Sequence, residues 1–469
     1  MEREESGLPS DMTQNRTILG HPAGLFVLFF TEMWERFSFY GMRSLLVLYM
    51  VDHLFRTPEA GRKVLGFGAI GGWLEAVFGP MGPQPLSSQI YGLYTAFVYL
   101  TPFFGGMLAD RVIGRRRAVI LGGVLMAIGH FLMTVEALFF PALLFLILGN
   151  GAFKPNISTQ VGTLYPPGDA RRDRAFTIFY MGINLGAFFS PLVCGTLGQT
   201  FGWHYGFGAA GVGMVAGLCL YLFGQPTLAP ERRVRIARRM REKLPLTRGE
   251  RKRVSALVLL CALNIIFWGV HEQQGNTLQL WSDRNTNWRF LGLAIPSTWF
   301  LAFNPLLIIL LAPLLNLYWS WQTRRGTEPS SIMKMAIGCF LAGAACAVMV
   351  FAAQGIGPEE RRSAAWLFGA VFILTLGELY LSPIGLSLVT KAAPDRIASM
   401  MMGIWFLASF FGNYFAGFLG TFWERISHES FFLMLTALGL GGGIVIWMLA
   451  RRLENVVEGH NYGEEKPES

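Results

Sequence analysis

Residues Thr31 to Arg43 read TEMWERFSFYGMR. They lie inside the first long apolar run of the chain, residues 22–51, yet contain Glu32, Glu35, Arg36 and Arg43. A charge at the centre of a bilayer costs roughly 3 kcal/mol on insertion scales. At helical spacing Glu32, Arg36, Tyr40 and Arg43 recur every four or three residues and form one stripe, bordered by Glu35 and Phe39. A purely structural seam in lipid uses small apolar residues instead. The stripe therefore predicts a membrane-spanning helix that turns its charges toward one another, a water-filled cavity or a ligand. Lys154, Glu272 and Glu378 are three further ionisable residues inside long apolar runs, and the whole set predicts a carrier with a charged central pathway.

The rest of the chain supports a membrane protein. Of 469 residues 52% are hydrophobic and only 15% charged, and the mean hydropathy is +0.42. A soluble chain of this length would need far more polar surface. Apolar runs of about 20 residues, the length that crosses the hydrocarbon core, recur twelve times. They fall near 22–51, 88–109, 116–136, 139–165, 175–200, 204–224, 254–281, 298–319, 330–353, 363–391, 397–423 and 429–450. Several hold Pro102, Pro155, Pro305, Pro313 or Pro383, which membrane helices tolerate where neighbours satisfy the freed backbone. Residues 1–20 are polar and the first run is too long for a signal h-region, so no cleavable signal peptide is expected.

The net charge of +9 does not point to nucleic acid, because the basic residues sit in short loops. They occur at Arg111 and Arg115–Arg117, at Arg171, Arg172 and Arg174, from Arg232 to Arg253, at Arg324–Arg325 and at Arg451–Arg452. By the positive-inside rule these loops and both termini are cytoplasmic. The basic stretch 226–253 divides the chain into bundles 22–225 and 254–450, between a terminus at 1–21 and a tail at 451–469. That linker reads either as an amphipathic helix on anionic lipid or as a solvated connection. The loop 52–87 holds a Gly-rich apolar patch, Val64 to Gly82, too broken for a span and read as an extracytoplasmic packed or interfacial segment. Cys194, Cys219, Cys261, Cys339 and Cys346 lie in apolar segments without metal-ligand spacing and read as small buried hydrophobes. No cofactor or metal is implied.

Further motifs follow the first. They are GGMLADRVIGRRR (Gly105 to Arg117), FKPNIS (Phe153 to Ser158), FYMGINLGAF (Phe179 to Phe188) and FWGVHEQQG (Phe267 to Gly275). FNP (Phe303 to Pro305), GELYLSPIGLS (Gly377 to Ser387) and MMGIWFL (Met401 to Leu407) complete the set. Thr31 to Arg43 resembles the ExxERFxYYG motif of the proton-dependent oligopeptide transporter family within the major facilitator superfamily. The later motifs resemble that family's helices in family order across nearly the whole chain. The resemblance implies an all-α fold of twelve transmembrane helices in two six-helix bundles, of the bacterial type. It departs from the family pattern at Phe39, where the motif has a tyrosine. Many bacterial relatives also carry two extra helices between the bundles, for which the 226–253 linker is too short.

The resemblance implies a central site for di- and tripeptides, with no catalytic residue. A zwitterion needs a cationic pole, available from Arg36, Arg43 and Lys154, and an anionic pole, available from Glu378. Arginine suits a carboxylate because its planar fork binds bidentately. By resemblance Asn184 and Asn304 bond the peptide, while Tyr40, Tyr99, Trp268, Trp405 and Ser382 shape the pockets. Glu32, Glu35, Glu272 and Glu378 face Arg36, Arg43 and Lys154, so one added proton balances the set. Glu272 paired with Arg43, and Glu32 and Glu35 near Lys154, are the expected proton-coupling groups. Asp110, Arg111 and Arg115 are expected at a gate. His130 and His271 read as packing residues with one satisfied nitrogen each, with His271 turned off to another face than Glu272.

The leading reading is a proton-coupled peptide symporter of the bacterial inner membrane, monomeric, with the lipid bilayer and its peptides as partners. The nearest alternative carries another small anion or metabolite such as nitrate. A drug/proton antiporter would not need the cationic pole. A membrane peptidase would need a metal or nucleophile cluster that the sequence lacks, whereas a peptide sensor is not separated from a carrier by sequence.

Overall fold

The computed structural model describes residues 17–57, 61–166, 168–228, 247–290, 292–357, 360–394 and 397–457. The chain is an all-α membrane protein, with twelve long helices among the described residues, one short helix, and short helical segments at Thr196–Phe201 and Thr277–Asn285. The helices are α1 (Ala23–Tyr49), α2 (Phe67–Phe78), α3 (Pro83–Leu108), α4 (Arg115–Leu132), α5 (Phe139–Thr163), α6 (Arg171–Ser190) and α7 (Trp203–Gly224). The second half holds α8 (Arg248–His271), α9 (Phe303–Arg325), α10 (Ser331–Ala353), α11 (Ala364–Ala392), α12 (Ala398–Gly420) and α13 (His428–Val457). Among the described residues ten helical segments are long and apolar enough to cross a membrane. The other two long helices are α1, with its four charges, and α4, which opens on Arg115–Arg117. The central part of the basic linker, including Arg232–Arg241, lies outside the described residues.

Helices α1 and α3–α7 form one bundle and α8–α13 the other. In the first, α1 packs against α6 and α7, and α5 fills the space between α3 and α4. In the second, α10 is flanked by α11 and α13, and α8 by α12 and α13. The halves meet mainly where α3 lies along α12 and α6 along α9. Small residues permit the first of these approaches. A Cβ on Gly92 would sit 2.6 Å from the Cα of Gly417 and 3.2 Å from the carbonyl oxygen of Asn413. With no hydrophobic drive between helices in lipid, such close backbone packing is what holds them together.

Polar links between the halves gather at the end of the bundles away from the termini. Gln84 Nε2 donates to the Gly420 carbonyl at 2.9 Å and Ser88 Oγ to Asn276 Oδ1 at 2.8 Å. Gln199 Nε2 donates to Ser297 Oγ at 2.7 Å, Trp299 Nε1 to Thr196 Oγ1 at 2.8 Å, and Arg284 Nη2 to Asp52 Oδ1 at 3.0 Å. That end is closed. At the termini end Arg115 Nη2 donates to Asp110 Oδ1, at 3.2 Å, and Arg116 Nη2 to the Leu228 carbonyl of the linker, at 3.0 Å.

Two expectations are refined. The 52–87 loop contains the helix α2, whose Gly71 and Leu74 are buried while Trp73 and Val77 stay exposed. It is an apolar segment outside the spans. The cysteines are all free, and four are buried, but Cys219 on α7 faces outward. In a membrane helix an outward face meets lipid, so apolar character there does not require burial in protein.

The α3–α12 contact gives a direct test. Gly92→Val should overpack it and cost about 1–3 kcal/mol, seen as a lower Tm of the purified protein. An unchanged Tm would show that this crossing tolerates separation.

Candidate functional site

The seven predicted ionisable residues form three sets along the pathway. The first lies on α1, where Glu32 and Glu35 both reach Arg36. Arg36 Nη2 donates to Glu35 Oε1 at 2.6 Å, its Nε also contacts that carboxylate, and Nε lies 3.4 Å from Glu32 Oε1. Glu35 is completely buried and Glu32 and Arg36 nearly so. Asn150 of α5 adds a donor to Glu35 Oε1 at 3.4 Å. Phe39 lies with its ring 5.1 Å from the Arg36 guanidinium and edge-on to Tyr40 at 5.2 Å. The aromatic face in place of the motif's tyrosine is thus a cation–π partner for the site's arginine.

Lys154 lies near Glu32 and Glu35, as expected. Its Nζ sits 4.8 Å above the Tyr99 ring, and among the described residues it forms no ion pair with Glu32 or Glu35. Both carboxylates are taken by Arg36, whose fork fixes two groups at once, so the lysine is left as a second cation facing the same region.

The second set joins the two halves. Arg43 of α1 forms an ion pair with Glu272, which opens the short 3-10 turn Glu272–Gly275 after α8. Tyr91 of α3 holds the guanidinium in place, its Oη accepting from Arg43 Nε at 2.8 Å and from Nη2 at 2.5 Å. This is the expected Arg43–Glu272 pair. The tyrosine was not expected, though it shares a helix face with Tyr99, eight residues on. The turn exists because the chain passes from α8 to Thr277–Asn285 through EQQG, with Gly275 packed beneath Tyr91: a Cβ there would lie 2.1 Å from the Tyr91 oxygen.

The third set lies wholly in the second half. Glu378 of α11 accepts from Asn304 Nδ2 at 3.0 Å, and the same amide donates to Thr375 Oγ1 at 2.9 Å. His271 Nε2 lies 3.1 Å from Glu378 Oε2. His271 points to another face than Glu272 and packs with one satisfied nitrogen, as expected, and the partner of that nitrogen is Glu378. Phe267 stacks on its ring and Trp268 meets it edge-on. The signal was present in sequence as a histidine beside an acid in an apolar run, but its partner lies 107 positions away.

The remaining site residues distribute around these sets. Tyr40 is half-buried between the first two, with Arg43 6.0 Å from its ring. Asn184 is buried on α6 and bonds back to the Tyr180 carbonyl at 3.0 Å. Trp268 packs against Gly412 of α12, and Trp405 against Gly385 of α11. Ser382, one turn beyond Glu378, is half-buried. Asp110, Arg111 and Arg115 lie at the termini end, away from all three sets. His130 is buried on α4. Among the described residues no group of three His, Cys, Asp or Glu is placed to hold a metal ion.

The model of the POT family matches residues 116–235 and 228–436. The chain belongs to the POT family. It is 36% identical over 474 aligned positions to the peptide transporter YePEPT of Yersinia enterocolitica subsp. palearctica, covering 86% of this chain and 88% of that one. It is 31% identical to a di-/tripeptide transporter of Lactococcus lactis subsp. cremoris, covering 93% and 96%. A crystal structure of a mutant peptide transporter POT in complex with alafosfalin superposes with a TM-score of 0.82 at 32% identity, covering 96% of this chain and 99% of the other. The fold is therefore the major facilitator fold of that family. The protein is a multi-pass membrane transporter and not an enzyme.

Tyr91→Phe removes the acceptor of two charge-assisted bonds and should weaken the clasp between the halves by about 1.5–3 kcal/mol. Ser88, buried where the halves meet, is the reporter. With Ser88→Cys in place, Tyr91→Phe should speed labelling by a membrane-impermeant maleimide. Equal rates with and without the tyrosine would remove Tyr91 from the clasp.

Proposed function

We propose that the protein is a proton-coupled symporter that imports di- and tripeptides by alternating access. The carrying observation is the division of charge between the halves. The cations Arg36, Arg43 and Lys154 lie in the first half, and the Glu378–Asn304 pair lies in the second. A peptide bridging them would offer its carboxylate to the cations and its ammonium to Glu378. That length of ligand, with fixed poles and a variable middle, suits the aromatic lining of Tyr40, Tyr99, Trp268 and Trp405, which gives apolar area with little directional demand. A nitrate-sized anion would make no use of Glu378. The printed names of the relatives, a peptide transporter and a di-/tripeptide transporter, support the same substrate class.

The moving units are residues 22–225 and 254–450, joined by 226–253. With the termini cytoplasmic, by the excess of Arg and Lys in the termini-side loops, the closed end faces outward and the structure is the inward-facing state. It would sit in the bacterial inner membrane and work as a monomer, since the pathway is built from one chain. Asp110, Arg111 and Arg115 would form the gate at the cytoplasmic end.

Proton coupling acts through the clasp. A protonated Glu272 no longer compensates Arg43, so Arg43 loses its hold across the halves, and the outward end opens. Glu32 and Glu35 hold Arg36 in the same way, and protonation there would free Arg36 for the peptide carboxylate.

In liposomes of the purified protein, uptake of labelled dialanine should require an inward proton gradient and collapse on adding a protonophore. Equal accumulation without the gradient would refute symport.

Glu378→Gln should weaken dialanine binding by about 10- to 100-fold, the loss of one charged hydrogen bond at about 1.5–3 kcal/mol. N-acetyl-dialanine, which lacks the ammonium, should lose much less. An equal loss for both ligands would make Glu378 structural.

A further inference from the structure

The first two charge sets compensate themselves. Glu32 and Glu35 face Arg36, with Lys154 as the fourth charge of that region, and Arg43 faces Glu272. The unbalanced carboxylate is Glu378, whose contacts are the neutral Asn304 and the ring nitrogen of His271. His271 Nε2 lies between two groups of opposite demand. It is 3.1 Å from Glu378 Oε2, which only accepts, and 3.2 Å from Gln274 Nε2, which only donates. A protonated Nε2 satisfies the carboxylate, whereas a bare Nε2 satisfies the amide. The other ring nitrogen, Nδ1, is buried without a partner, so nothing else on the ring fixes its protonation. The site has two self-consistent arrangements.

The charged groups acting on His271 are Glu378 from α11, Glu272 from the turn that follows α8, and Arg43 from α1. Tyr40 of α1 and Tyr180 of α6 also face Glu378. Helix α12, packed along α8, carries no Asp, Glu, Lys, Arg or His, and α9 brings only the neutral Asn304 to the site. The titratable acidic and basic residues of α10 and α13 lie at their ends, at Lys334, His428, Glu429, Arg451, Arg452 and Glu454. His271 is thus the one imidazole beside the ammonium-binding carboxylate among the described residues.

We propose that the His271 Nε2–H and the terminal ammonium of the peptide are alternative occupants of Glu378, so that His271 sets the pH range over which a free amino terminus is recognised. The inference rests on the reading of Glu378 as the ammonium site. In the empty site the proton on His271 neutralises Glu378. When a peptide arrives, its ammonium takes the carboxylate, the imidazole gives up its proton to water, and Gln274 donates to the bare Nε2. Imidazole titrates within physiological pH, where either occupant is accessible.

The test is isothermal titration of the purified full-length protein with dialanine at about pH 6, in two buffers of different ionisation enthalpy. Wild type should release more protons per peptide bound than His271→Gln. The variant should bind more tightly at about pH 5.5, by about tenfold, and lose most of the affinity change between about pH 5.5 and 8. His271→Phe, which keeps the ring stacked on Phe267, should behave as His271→Gln does and covers the case in which the glutamine variant fails to fold. A merely structural histidine would change Tm or affinity at every pH without changing the proton count. Wild-type proton release in both variants would overturn the inference. If Glu378→Gln weakens dialanine while the His271 variants match wild type, the ammonium site stands and the role of His271 falls. If Glu378→Gln binds dialanine as wild type does, the ammonium site itself falls and takes this inference with it.

Discussion

An arginine held in the hydrocarbon region is stable only beside a compensating charge, and for Arg43 that charge belongs to the other half of the molecule. Removing one partner of a buried pair is far costlier than the net worth of the pair, because it strands the other charge. The Arg43–Glu272 contact is therefore conditional. It stabilises the closed end as long as both groups are charged, and it becomes a liability as soon as one is not. A salt bridge between two side chains of one helix, such as Arg36 with Glu32 and Glu35, has no such leverage over domain position. The same chemistry serves two purposes according to whether the partners ride on one body or two.

The surroundings of the clasp let it act as a switch. Tyr91 holds the guanidinium from the first half, so the arginine keeps a hydroxyl partner if Glu272 leaves. Gly92 and Gly417 bring α3 and α12 to backbone contact one residue further along, and the Ser88–Asn276 and Gln84–Gly420 bonds lie just outward. Those are neutral bonds, each worth roughly 1 kcal/mol net. Their sum is small enough to be lost and remade in a transport cycle, and under the proposed coupling the conditional ion pair would decide which state prevails.

The fold was legible because the bilayer imposes it: every span must satisfy its backbone internally and reach a fixed length, so twelve apolar runs gave twelve helices with boundaries displaced by a few residues. Charges on one helix were legible too, since Glu32 and Arg36 are four apart. Contacts between distant helices were legible only where a motif carried them, as for Arg43 and Glu272. The nearness of Lys154 to Glu32 and Glu35 was legible, but not that Arg36 takes both ion pairs, because sequence gives the inventory of charges without saying which base wins a shared acid. Tyr91 went unassigned and the partner of His271 unnamed because an aromatic or a histidine in an apolar run most often packs, and what distinguishes these two is a partner on another helix. Cys219 shows the opposite error, since in lipid an apolar residue has no need of the protein interior.

The three charge sets also constrain any account of the cycle. A carrier must reorient both loaded and empty, and each reorientation moves the second half's carboxylate relative to the first half's cations. Glu378 shares no ion pair with α1, so its compensation must travel with its own half. In the proposed cycle a peptide ammonium would do so in the loaded state, and in the empty state the described residue able to do so is His271. A mobile half that carries its own counter-charge avoids dragging an uncompensated carboxylate through a closing, desolvating site, where the penalty for a bare ion is several kcal/mol. The placement of the histidine on α8, in the same bundle as Glu378, is what makes that compensation independent of the clasp at Arg43.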